Sequence, residues 1–144
     1  MYKKDYILRM IEMMGELIAG ILGLIKKGDF QQASQSLENA YIEFLKEDTS
    51  LFRNLPKEKM TDKLINEHNY TNSHLEILAG LFYAEAELSF AKGNQNASLE
   101  FYEKALILYE FVAKESKTFF VDKQSKITYI QERITELKQA GTSQ

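Results

Sequence analysis

"LIKKGDFQQASQSLENAY", Leu24 to Tyr41, is the stretch whose reading decides the fold. An apolar run ends in two lysines, then come Gly28, Asp29 and a segment with Ala33, Leu37 and Ala40 in step. Glycine closes a helix at low cost because it accepts the left-handed conformation, and an aspartate after it can hold the free N–H groups of the next helix. The stretch reads as a helix end, a tight turn and a second helix. "SFAKGNQNASLEFYEKAL", Ser89 to Leu106, repeats it: Gly93, Asn94, Ser98, Tyr102 and Ala105 stand at the same offsets. Small residues at two of those offsets let paired helices cross closely, and the large one fills the space between hairpins.

Working back from Gly28, the segment "GELIAGILGLIKKGDF" (15–30) holds nine residues, Leu17 to Ile25, without charge. A membrane span needs about 20 such residues. Glu12 and Glu16 interrupt the run on one side and Lys26, Lys27 and Asp29 on the other, so the chain is expected to be neither membrane-anchored nor secreted, and to be cytoplasmic. Ile7, Ile11, Met14, Ile18, Ile21 and Ile25 step by three and four, which predicts an amphipathic helix over about 3–27. Gly15, Ala19 and Gly23 form a smooth strip on which a partner helix is expected to pack closely.

Working forward, the second helix is expected over about 30–47, burying Phe30, Ala33, Leu37, Ala40, Tyr41 and Phe44, which completes hairpin one (3–47). An irregular insert follows over about 48–72, with Pro56 in the first turn of a short helix carrying Met60, Leu64 and Ile65, and "NEHNYTNS" as a loop. Hairpin two spans about 73–115. Ser73 and Glu76 read as a capping box at its start, and its first helix is apolar on two sides, so it belongs at the centre of the fold. "SKTFFVD" reads as a turn, and a last helix over about 122–139 carries Ile127, Ile130, Ile134 and Leu137. No stretch alternates as a strand does, so the chain is expected to be a single all-α domain of about five long helices and one short one.

The two matched stretches resemble the turn and second helix of a tetratricopeptide repeat. The resemblance implies a short antiparallel helical-hairpin array whose concave groove is lined by the first helix of each pair. It departs from the family in two respects. Gly28 and Gly93 stand 65 residues apart, against a repeat of about 34. Gly20 and Glu85 also fall where a large apolar residue is usual. "KKDYILRMIE" and "EKALILYEFVAKESKTF" resemble a small bacterial family of such helical proteins, a resemblance that implies no activity.

Composition narrows the chemistry. The chain has no cysteine, which excludes disulfides, thiol catalysis and thiolate metal sites. Its net charge of −3 and dispersed Lys and Arg argue against a nucleic-acid partner or a polybasic membrane patch. His68 and His74 are the only histidines, and neither has a glutamate three residues before it, so no metal site or cofactor is expected. Glu85 and Glu87 diverge by about 200° around a helix and cannot act on one substrate together; they are expected to be solvated or lightly paired. No acid–base or nucleophile constellation appears, and the chain is expected not to be an enzyme.

The expected function is therefore a non-enzymatic protein-interaction module presenting a groove to a peptide or helix of another protein. By the tetratricopeptide resemblance, Tyr83, Glu87 and Phe90 would line the groove in hairpin two and Lys26 in hairpin one. The alternative is a structural homodimer, paired through the apolar rows of the first and last helices; a small-molecule binder or enzyme is a remote third.

Overall fold

The computed structural model describes residues 2–116 and 121–142, with side chains over 9–115 and 124–141. The tip of "SKTFFVD" lies outside the described residues, as does the side chain of Ile7. Among the described residues the chain is all-helical: α1 (Tyr2–Lys26), α2 (Phe30–Ala40), a π-helical turn (Tyr41–Leu45), α3 (Thr49–Arg53), α4 (Met60–His68), α5 (Asn72–Ala91), α6 (Gln95–Ser116) and α7 (Val121–Thr142). No described helix is long and apolar enough to cross a membrane.

The two matched turns are congruent. Gly28 and Gly93 both take φ +85°, a conformation in which any side chain would be strained. Gly28 N–H donates to the Ile25 carbonyl at 3.0 Å and Asp29 N–H to Leu24 at 2.9 Å; Gly93 donates to Phe90 at 3.0 Å and Asn94 to Ser89 at 2.9 Å. Asp29 then accepts from Gln32 N–H and Asn94 from Ala97 N–H, each capping the helix that follows. Ala33, Leu37, Ala40, Ser98, Tyr102 and Ala105 are all buried, as their matched offsets require. Ser98 is small because α6 crosses α5 there, and its hydroxyl donates to the Ala86 carbonyl at 2.9 Å.

Helix α5 is the centre of the molecule. It packs against α1 and α2 on one side and α6 on the other, and α7 lies against α6. Leu75, Ile77, Leu78, Leu81, Phe82, Ala84, Ala86 and Leu88 are buried all round it. Met14, Ile18 and Ile21 of α1 and Ile127, Ile130, Ile134 and Leu137 of α7 are also buried. These buried positions of the two terminal rows that suggest a homodimer find neighbours within their own chain.

The close approach of α1 is made at a different glycine from the one expected. A Cβ built on Gly15, Gly20 or Gly23 meets nothing within 4 Å, and Gly15 and Ala19 are exposed. A Cβ on Gly80 of α5 would stand 2.7 Å from Ile18 Cδ1 and 3.1 Å from Met14 Cε. The small side chain needed at the crossing comes from the central helix, because α1 brings its large residues to the contact.

The insert is more helical than expected. Asp48 accepts from Ser50 N–H at 3.0 Å and starts α3, whose Phe52 is fully buried. Pro56 lies in the link to α4 and not inside it; α4 begins at Met60, after Lys59 at φ 59°. The second helix of hairpin one stops as an α-helix at Ala40 and continues as a π turn to Leu45, short of residue 47. Tyr41, Phe44 and Leu45 are buried there, and the Tyr41 ring stacks on Phe52 with centroids 5.4 Å apart. "NEHNYTNS" is a loop only over residues 69–71.

Opposite outcomes are expected at the two kinds of glycine. Gly80→Leu should destabilise the protein by about 1–3 kcal/mol through overpacking. Gly23→Ala should stabilise it by about 0.5–1 kcal/mol through helix propensity. Urea denaturation of both variants checks this, and the reverse order would contradict the packing of α1 on α5.

Candidate functional site

Two of the three glutamates of helix α5, Glu85 and Glu87, stand on opposite sides, and each is satisfied by a different part of the chain. Glu85 is buried, at 4% exposure. Its carboxylate accepts from Arg53 Nε at 3.0 Å and Arg53 Nη2 at 3.3 Å, a forked pair that ties α3 to the centre of the fold. Next to it the Lys104 side chain of α6 is 2% exposed. Its ammonium donates to the Arg53 carbonyl at 3.1 Å, at the end of α3, and lies 5.6 and 5.8 Å over the Phe82 and Phe101 rings. A cation at a helix C-terminus is favourable, but burial pushes the Lys104 ammonium below the usual lysine range. Burial, and then Glu85, push the neighbouring Tyr41 phenol upward.

On the other side, Glu87 accepts from the hydroxyls of Tyr102 in α6 and Tyr129 in α7, the latter at 3.1 Å. The expectation that both glutamates are solvated or lightly paired is corrected at Glu85, which is buried and so needs the Arg53 fork; Glu87 is half-buried and paired with two hydroxyls. Tyr83 and Phe90 stand on the same row of α5 as Glu87, and both are half-buried. Lys126 lies 5.1 Å from the centroid of Tyr83, and Tyr129 meets that ring edge-on at 6.1 Å. The Arg133 guanidinium stacks on Phe90 at 3.9 Å and pairs with Glu136 at 3.5 Å. The contacts Tyr83–Lys126 and Phe90–Arg133 show that α5 and α7 run in the same direction.

Three of the four groove candidates, Tyr83, Glu87 and Phe90, thus come together with α7. Lys26 is exposed in the last turn of α1 and takes no part in the described contacts of this cluster. Sequence reasoning missed Lys126, Tyr129 and Arg133. Their spacing of three and four, one residue behind the apolar row of Ile130, Ile134 and Leu137, marks a second face of α7 and was the available signal. It also missed Tyr102 as a donor, because its offset reads as pure core.

Among the described residues no three His, Asp or Glu side chains converge as metal ligands would. A shallow surface depression of about 370 Å³ is lined by Thr128, Gln131, Glu132, Thr135 and Glu136 of α7. The arrangement offers aromatic faces, two cations and hydroxyl donors, all suited to contact. No family model, curated protein or solved structure matches this chain.

The tyrosines give this core a pH limit. Burial first, then nearby carboxylates, push the phenols of Tyr83, Tyr102, Tyr109 and Tyr129 upward, and that of Tyr70 to about 12. A raised phenol favours the fold below its ordinary value near 10, and that contribution is lost as pH climbs past it. Phenolate absorbance should therefore lag behind free tyrosine and rise together with loss of the far-UV helix signal. Full ionisation near pH 10 with the helices intact would contradict the packing of these rings.

Proposed function

We propose that this protein is a non-enzymatic interaction module of tetratricopeptide-like build, acting in the cytoplasm. Its recognition surface is the wall formed by Tyr83, Phe90, Lys126, Tyr129 and Arg133. The observation that carries this reading is the make-up of the wall: aromatic rings and cations stacked on each other and left half-open. Tyr129 is 36% exposed although its hydroxyl is anchored on Glu87. Tyrosine and arginine are enriched where partner proteins bind, because they offer large contact area together with polar ends. The congruent turns at Gly28 and Gly93 support the repeat-like build, and in such arrays the surface of successive first helices receives peptides or helices.

A photo-crosslinking residue in place of Tyr129 tests this in the native host. A discrete adduct is expected from position 129 and not from exposed Gln35 on α2. The adduct should disappear with Phe90→Ala and be competed by unlabelled wild-type protein. Equal labelling from both positions, with the helical spectrum unchanged, would contradict the assignment of this wall.

A further inference from the structure

The two histidines of the chain flank one junction, where α4 hands over to α5. Asn69 ends α4 in the left-handed conformation at φ 57°, and Tyr70 N–H donates back to the Leu64 carbonyl at 3.1 Å. The backbone reaches capping geometry at Thr71, two residues before Ser73, so Thr71 and not Ser73 is the cap of α5. Thr71 accepts from His74 N–H at 3.4 Å, and Thr71 N–H donates to His74 Nδ1 at 3.0 Å. This is a reciprocal capping box with histidine in the place of the usual Glu or Gln, and Glu76 is not its member.

That substitution has a chemical consequence. A backbone N–H can only donate, so Nδ1 must carry a lone pair and the His74 ring must be neutral. Protonation turns Nδ1 into a donor facing the Thr71 N–H, so that contact is lost and only the Thr71 hydroxyl oxygen, 2.9 Å away, is left to accept from it. It also places a positive charge in the first turn of α5, where the helix dipole disfavours one. The ring is a wall as well as a cap, since Tyr70 stacks on it with centroids 5.0 Å apart. Tyr70 also meets His68, at 5.9 Å, whose Nδ1 lies 3.9 Å from a Glu47 carboxylate oxygen. The charged and titratable groups around the junction are thus Tyr70 in the loop, His68 on α4, Glu47 beyond the π turn and Glu76 on α5 itself.

We propose that this junction is a pH-sensitive device: neutral His74 closes the first turn of α5, and its protonation releases the Thr71 N–H and loosens the Tyr70 ring stacked on it. Burial lowers the His74 pKa from its ordinary value, which agrees with a fold that prefers the neutral ring. The contribution is therefore complete above about pH 6.5 and lost as pH falls below it. His68 faces the Glu47 carboxylate, not a backbone donor. Acid thus weakens the α5 side of the junction.

Amide exchange measured at about pH 7.5 and about pH 5, corrected for intrinsic rates, tests the device. Protection over residues 71–75 should fall about fivefold in the wild type, the equivalent of one lost cap. His74→Gln keeps an acceptor at the capping-box position and removes the titration, so its protection should not change with pH. His68→Gln should still show the fall. The proposal is overturned if the wild type is equally protected at both pH values, or if His74→Gln loses protection as the wild type does. Should His74→Gln not fold, NMR of the wild type decides: the Thr71 amide shift must follow the His74 ring with one midpoint, and separate midpoints would overturn the proposal.

Discussion

Helix α5 packs between α1, α2 and α6, and two of its three glutamates, Glu85 and Glu87, point away from each other. A buried carboxylate without a donor is costly, so the partners of Glu85 and Glu87 constrain everything packed around this helix. Glu85 takes the guanidinium of Arg53, which brings α3 and the insert against hairpin two. Lys104, from the neighbouring helix, caps the end of that same short helix. Glu87 takes two tyrosine hydroxyls, one from α6 and one from α7, and so sets the last helix beside the central one. The apolar contacts supply most of the stabilisation, but they are non-directional. The two carboxylates specify which surfaces meet.

Most of the helices were legible in the sequence because their signals are local. The apolar steps of α1, α5, α6 and α7 and the turn residues Gly28, Asp29, Gly93 and Asn94 each act within one or two turns. The repeated offsets proved accurate for the same reason: a residue five or nine positions past a helix stop must face the partner helix. The readings that failed depend on what lies across space. Gly15, Ala19 and Gly23 look like a packing strip, but only tertiary structure decides which of two crossing helices brings the small residue, and it is Gly80. Pro56 suggests the start of the helix carrying Met60, yet that helix begins after Lys59, whose left-handed backbone no residue-type rule marks.

The candidate site was legible in part. Tyr83, Glu87 and Phe90 follow from the place of the first helix in a hairpin array, and they do stand together. Their counterparts on α7 belong to no repeat offset and had to be found in the structure. Glu85 interrupts an otherwise apolar face, and its partner Arg53 lies 32 residues away in a segment without periodicity. The capping box of α5 was placed two residues late because Ser73 and Glu76 satisfy the sequence rule equally well. The backbone conformation at Asn69 and Thr71, which settles the matter, is not written in residue type alone.

The central claim is that Glu85 and Arg53 hold the insert to α5 as a coupled pair. A double-mutant cycle with Arg53→Ala, Glu85→Ala and both together, read by urea denaturation, measures it directly. Coupled removal predicts an interaction of about 1–3 kcal/mol, with the double variant less destabilised than the sum of the single ones. Additivity within about 0.5 kcal/mol would contradict the account.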